Sequence, residues 1–126
     1  MSTPRGRDVI LQLIHAYEEE GRLYDQVYEA AAEQQRLLRN GRNPVRLSEL
    51  IEAQRHLAER IGKIESGIAP LRSYWERIRD SAHGPQTESL AEVLDGQLED
   101  LVNRIHQIVE IERQNTQALL DVPTTT

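Results

Sequence analysis

The sequence contains no cysteine and no phenylalanine, and it has a single tryptophan. Without cysteine the chain cannot form disulfides, bind zinc through thiolates or carry out thiol chemistry. Apolar residues make up 38% and aromatic residues 4% of the 126 residues, against roughly 45–50% apolar residues in an ordinary globular domain. Such a composition would fill a compact α/β enzyme core poorly. It favours one small helical domain with a large surface for its size.

Long apolar runs and concentrated positive charge are also missing. No apolar run approaches the ~18–20 residues of a membrane span, and the N-terminus lacks the apolar core of a signal peptide, so we expect a cytoplasmic protein without a membrane span. After residue 80, Arg104 and Arg113 face eight acidic residues, so the whole net charge of −6 falls in the last third. Nucleic acid is not an expected partner, because phosphate binding needs a concentrated basic surface. The acidic third is either a solvated helix face or a surface that prefers a neutral or basic partner.

Turn-forming residues divide the chain into three long segments. In the first turn, Gly41 suits the position after a helix end, Asn43 can cap the next helix, and Pro44 suits its first residue. Thr87 is a candidate cap for the third helix. The predicted helices of this single domain cover residues 8–40, 44–80 and 88–121, and the predicted disordered ends are residues 1–7 and 122–126.

Apolar residues in each segment recur at alternating spacings of three and four, as on the packed face of a long helix. The longest such line runs through the second segment and consists of Leu47, Leu50, Gln54, Leu57, Ile61, Ile64, Ile68, Leu71, Trp75 and Ile78. No segment alternates with the period of a strand. Because the connections are short, neighbouring helices should be antiparallel. The sequence therefore predicts an all-α fold: an elongated, antiparallel, coiled-coil-like three-helix bundle.

Two features of this bundle are irregular. Pro70 interrupts the second segment, yet the apolar line keeps its phase across it, so we expect a continuous helix that is kinked at Pro70 rather than broken near residues 66–70. Polar residues also occupy core-type positions, where they can fix the register or mark helix ends left unpacked for a partner. These polar residues are Glu20, Gln34, Glu112 and Asn115.

The sequence offers no convergent set of reactive groups. A di-metal bundle would carry Glu-x-x-His pairs on inward faces, and neither His56 nor His106 has a glutamate three residues before it. We therefore expect His15, His56, His83 and His106 to be surface or loop residues. No phosphate-binding loop and no nucleophile elbow is present. The sequence thus predicts neither an enzyme nor a cofactor or metal site.

Two surfaces could serve a protein partner. Trp75 and Tyr17 either fill the core, which is the usual role of such residues, or form an exposed anchor. In the third helix, Val102, Val109 and Ile111 flank the main apolar line, and the apolar face broadens around residues 105–111 (I-H-Q-I-V-E-I). The broad face either contacts both other helices of a closed bundle or remains open for an incoming amphipathic helix.

Three stretches of the chain resemble the FlgN-like family of flagellar export chaperones. They are residues 17–38 (Y-E-E-E-G-R-L-Y-D-Q-V-Y-E-A-A-A-E-Q-Q-R-L-L), residues 47–65 (L-S-E-L-I-E-A-Q-R-H-L-A-E-R-I-G-K-I-E) and the final I-V-E-I-E-R-Q-N-T-Q-A-L-L. The resemblance implies a small, acidic, helical chaperone that holds the helical C-terminal region of hook–filament junction proteins for type III export. It assigns partner contact to Ile105, Ile108, Val109, Ile111, Glu112, Asn115, Leu119 and Leu120. The alternative is a structural coiled-coil protein that closes its apolar stripes by homo-oligomerisation.

Overall fold

The structure is a computed structural model that describes residues 6–41, 43–81 and 84–121. These residues form three helices, α1 (Gly6–Asn40), α2 (Pro44–Ile78) and α3 (Pro85–Leu120), and contain no strand. Each helix has 35 or 36 residues and is therefore about 50 Å long at 1.5 Å per residue. The predicted all-α three-helix architecture is confirmed.

The first turn follows the sequence prediction closely. Gly41 has a φ of +131°, which glycine adopts without steric cost. Asn43 caps α2, since its Oδ1 accepts a hydrogen bond from the Arg46 backbone N–H at 3.1 Å, and Pro44 is the first helical residue. The short turn holds α2 antiparallel to α1.

Other boundaries differ from the prediction. α3 begins at Pro85 because Gly84, with a φ of +137°, stands at the cap position, so Thr87 lies inside the helix and the prediction that it is the cap was wrong. α1 begins at Gly6, and thus Gly6 and Arg7 are helical instead of disordered. The predicted disorder of residues 1–5 and 122–126 concerns segments outside the described residues.

Pro70 lies inside α2, which continues through it from Pro44 to Ile78. The proline itself is exposed, while Ile68 and Leu71 beside it belong to the core around Trp75. The helix therefore does not break near residues 66–70, and the kink expected at Pro70 stays a prediction.

α1 is the central helix of the arrangement. It approaches both other helices, whereas no Cα atom of α2 comes within 8 Å of one in α3. The distribution of buried residues also makes α1 the central helix, since eleven residues of α1 are buried, against five in α2 and four in α3. The bundle is consequently more open between α2 and α3, which share core side chains with α1 but whose backbones do not approach each other.

Side-chain hydrogen bonds to the α1 backbone fix the relative directions of the helices. In α3, Gln97 donates to the Ile14 carbonyl at 3.3 Å, and Asn115 donates to the Ala31 carbonyl at 3.0 Å, so α3 runs parallel to α1. In α2, the Arg46 guanidinium binds the Glu33 carboxylate near the end of α1, at 2.8 and 2.9 Å. α2 is therefore antiparallel to both helices.

The core consists of two clusters along α1. One contains Trp75 and Tyr17, which are 7% and 4% exposed, so both fill the core and neither is an exposed anchor. The other lies between Leu23, Leu57 and Ile108. Within the part of the chain that the structure describes, no helix carries an apolar stretch long enough to cross a membrane.

Candidate helix-binding groove

The residues assigned to partner contact divide between the interior and the surface. Ile108 is 6% exposed and packs in the second core cluster, and Asn115 is 5% exposed and bonded to α1. Both are therefore core residues of the bundle, and a partner could contact them only if the bundle opened. The other six lie at or near the surface: Ile105 and Ile111 are half-buried, and Val109, Glu112, Leu119 and Leu120 are exposed.

An uncovered apolar stripe runs along α3. Leu98, Val102, Ile105 and Val109 follow one another at spacings of four, three and four, which places them on one face of the helix. Leu98, Val102 and Val109 are 37%, 49% and 56% exposed. The buried line of α3 runs beside this stripe, through Leu94, Leu101 and Ile108.

The stripe lies on the side of α3 that faces α2. Glu112 continues its spacing three residues after Val109, and the Glu112 carboxylate accepts a hydrogen bond from Gln54 Nε2 of α2 at 3.4 Å. Glu112 is an exposed residue rather than a core one, although desolvation raises the pKa of its carboxyl. The Gln54–Glu112 bond therefore links α2 and α3 just beyond the C-terminal end of the stripe.

On α2, the line that continues Gln54 carries one large apolar residue, Ile51, and three small ones. Ile51, Ala58, Gly62 and Ala69 continue the line of Gln54 along the helix, and all but the half-buried Ala69 are exposed. A Cβ atom added at Gly62 would meet no heavy atom within 4 Å. We call the space between this line and the α3 stripe the α2–α3 groove. Its α3 side carries large apolar side chains, and its α2 side carries Ile51 and the small residues Ala58, Gly62 and Ala69.

A pair of carboxyl groups lies beneath the groove. Glu20 of α1 is 1% exposed, its Oε1 has no hydrogen-bond partner among the described residues, and its side chain is hydrogen-bonded to Glu65 of α2. Glu65 in turn accepts from Arg72 Nη1 at 2.9 Å, and Arg72 also bonds to Tyr17. Two carboxyl groups can share a hydrogen bond only if one of them carries a proton.

Burial decides which carboxyl carries that proton. The pKa of Glu20 is raised to about 8. Desolvation is the largest cause, the hydrogen bond to Glu65 and the charge of Glu65 add to it, and the positive charge of Arg72 acts in the opposite direction. Desolvation also raises the pKa of Tyr17 and of Tyr24, which pack nearby. At neutral pH Glu20 is thus the neutral donor of this hydrogen bond, and Arg72 Nη1 lies 2.9 Å from Glu65 Oε2.

Amide side chains tie α1 to α2 beside the Gln54–Glu112 bond. Gln34 of α1 is 8% exposed and donates to Gln54 at 2.8 Å, and Gln54 Nε2 also reaches the Val27 carbonyl at 3.4 Å. The predicted core positions of Glu20, Gln34 and Asn115 are confirmed by their burial. Such partnered polar groups fix one register between long helices.

Reactive side chains are scattered over the surface. His15, His56 and His106 are exposed, and His83 lies outside the described residues. His56 has two acidic neighbours on its own helix, Glu52 at 3.3 Å and Glu59 at 3.9 Å. In residues 6–41, 43–81 and 84–121, no three histidine or acidic side chains come together as metal ligands.

Sequence reasoning missed half of the groove. It found Val102 and Val109, because both flank the main apolar line, but it did not identify Leu98 as the start of an uncovered stripe. It also gave no role to Ala58 and Gly62. The available signal was that apolar residues of α3 occupy two adjacent lines, of which α1 can cover only one.

In comparisons with known proteins, no protein-family model, no curated protein and no solved structure matches the chain.

Proposed function

We propose that this chain is a non-enzymatic helix-binding protein that holds an amphipathic helix of another protein in the α2–α3 groove. The observation that carries the proposal is the exposed stripe of Leu98, Val102, Ile105 and Val109 beside a gap that α2 leaves open. Following the resemblance noted above, the partner is the helical C-terminal region of a hook–filament junction protein, held in the cytoplasm before flagellar type III export.

The groove suits a single helix. The stripe from Leu98 to Val109 is about 16 Å long, or three helical turns, and its residues have the spacing that helix-in-groove recognition uses. An incoming helix packs 8–10 Å from its neighbours, and the small residues Ala58 and Gly62 leave room for that approach on the α2 side. The apolar surface is short, which favours an affinity weak enough for release before export.

The direct test is calorimetric titration with the purified C-terminal region of a hook–filament junction protein from the same organism. We expect saturable one-to-one binding that Val102→Glu and Val109→Glu abolish, because each places a charge against the apolar face of the bound helix. Asn103→Glu is the matched control, since Asn103 is exposed outside the stripe. Circular dichroism must show unchanged helicity in all three variants. Unchanged binding by both stripe variants would exclude the groove, and no binding by the unmodified chain would exclude the junction protein.

The alternative function is a structural coiled-coil protein in which a second copy covers the same stripe. The exposed Val102 and Val109 are the observation in its favour, because homo-oligomerisation would also remove them from water. Sedimentation velocity distinguishes the two. A dimer that Val102→Glu dissociates supports the structural alternative, whereas a monomer that binds the junction region supports the chaperone.

A further inference from the structure

A row of unpaired acidic residues accompanies the apolar stripe of α3. Glu88, Glu92, Asp95 and Glu99 follow one another at spacings of four, three and four, so they lie on one face, and all four are exposed. None of these side chains forms a hydrogen bond or ion pair with another described residue. Like charges at these spacings repel one another by roughly 0.2–0.5 kcal/mol per pair. We call this row the acidic edge.

The acidic edge borders the N-terminal end of the apolar stripe. Asp95 precedes Leu98 by three residues, and Glu99 precedes Val102 by three, so each acid neighbours a member of the apolar stripe. A helix seated on the stripe therefore has one flank within reach of these carboxylates.

The basic residues of α3 do not neutralise this edge. Arg104 binds Asp25 of α1 at 2.9 Å, and its guanidinium lies 4.5 Å from the centre of the Tyr28 ring, on the α1 side of the helix. Arg113 pairs with Glu110 of its own helix at 2.6 Å. The N-terminal half of α3 thus presents negative charge without a counter-charge from the described chain.

We propose that the helix held in the α2–α3 groove is basic along one flank, with lysine or arginine side chains that meet the acidic edge. This inference rests on the helix-binding function proposed above and specifies the chemistry of the partner. Opposite charges at an interface speed association and fix orientation, so the basic flank also sets the direction in which the helix lies. A second copy that docked through α3 would bring its own acidic edge to the groove, and repulsion disfavours that occupant.

Three model peptides of about 18 residues, blocked at both ends, test the charge requirement. They share one apolar face of leucines at helical spacing and differ only in their flanking residues, which are lysine, glutamine or glutamate. We expect the lysine-flanked peptide to bind roughly ten-fold more tightly than the glutamine-flanked one, with the glutamate-flanked peptide weakest. The advantage of lysine should diminish between low and high salt, because salt screens exposed charges.

Two double variants locate the effect on the protein. Asp95→Asn with Glu99→Gln should remove most of the preference for the lysine-flanked peptide and leave binding of the glutamine-flanked peptide unchanged. Glu18→Gln with Asp100→Asn makes the same change of charge beside a different surface depression, between α1 and α3. This control pair should keep the preference.

The outcomes separate this proposal from the function on which it rests. Equal binding of the lysine- and glutamine-flanked peptides would overturn the basic flank and leave helix binding intact. A preference that survives the Asp95 and Glu99 changes would overturn the role of the acidic edge. Failure of all three peptides would overturn this inference, and the titration with the junction region decides separately whether helix binding stands. A dimer of the chain that Val102→Glu dissociates would assign the groove to a second copy.

Discussion

Replacement of the buried Glu20 by glutamine tests the protonation of the carboxyl pair beneath the groove. Glutamine has nearly the shape of a protonated glutamate, and its amide can still donate the hydrogen bond to Glu65. The variant therefore removes the titration and keeps the contacts. The exposed neighbour Glu19→Gln is the matched control, because the same change at the surface touches no buried partner.

The expected effect grows with pH. The pKa of Glu20 is about 8 in the folded protein against an ordinary value of 4.5, so between these values the folded state keeps a proton that the unfolded state has released. Stability that comes from this group is therefore present at low pH and lost as pH rises from 4.5 to 8. At about 1.4 kcal/mol per unit, the loss between pH 5 and pH 8 amounts to about 3 kcal/mol. Glu20→Gln should escape this loss.

Urea unfolding at pH 5 and at pH 8, followed by circular dichroism, measures the difference. We expect Glu20→Gln to be about as stable as the unmodified chain at pH 5 and about 3 kcal/mol more stable at pH 8, which corresponds to roughly 10 °C in Tm. Comparison at the same pH cancels the titration of all other groups. A stability difference that stays constant across this range, or a variant that is less stable at pH 8, would refute a protonated Glu20.

Further predictions concern the core, the proline and the groove. Ile108→Glu should unfold the chain or lower the free energy of unfolding by at least about 4 kcal/mol, because it places a charge in the core. Leu119→Glu, at a residue that is 51% exposed, should change that free energy by less than about 0.5 kcal/mol. Urea unfolding of the two variants measures both changes. Pro70→Ala should keep the helix and raise the free energy of unfolding by about 1–2 kcal/mol, since it restores a backbone donor; marked destabilisation would point to a required turn. Gly62→Leu should stabilise α2 by about 1 kcal/mol yet weaken partner binding in calorimetry, because the new side chain enters the groove. The control Gly67→Leu should stabilise α2 without affecting partner binding. If both variants weakened partner binding equally, the location of the groove would be contradicted.

Local signals predicted the elements accurately. The cap at Asn43, the proline after it and the glycine before it define a turn through interactions within a few residues, so sequence alone locates it. The start of α3 was misplaced because Thr87 and Pro85 both suit a helix beginning. Only the backbone of Gly84, with its positive φ, shows which of them begins the helix.

The candidate site depended on information that is not local. Periodicity places Leu98, Val102 and Ile108 on the same broad apolar face, but it does not say which line of that face meets α1. The structure buries Ile108 and leaves Val102 exposed, because α2 and α3 attach to α1 at separate places and remain apart from each other. The sequence interpretation therefore combined core residues with surface residues in one binding face.

The sequence by itself determined the helical class, the three segments, the first turn and the polar positions at Glu20, Gln34 and Asn115, because all of these follow from local backbone preferences and from the 3.6-residue period of a helix. The tertiary structure alone decided that α1 is central, that a groove stays open between α2 and α3, and that Glu20 faces Glu65. The physical reason is that a helix carries its side chains all around its axis. Which of them become buried, and which carboxyl holds a proton, depends on the angle at which neighbouring helices attach.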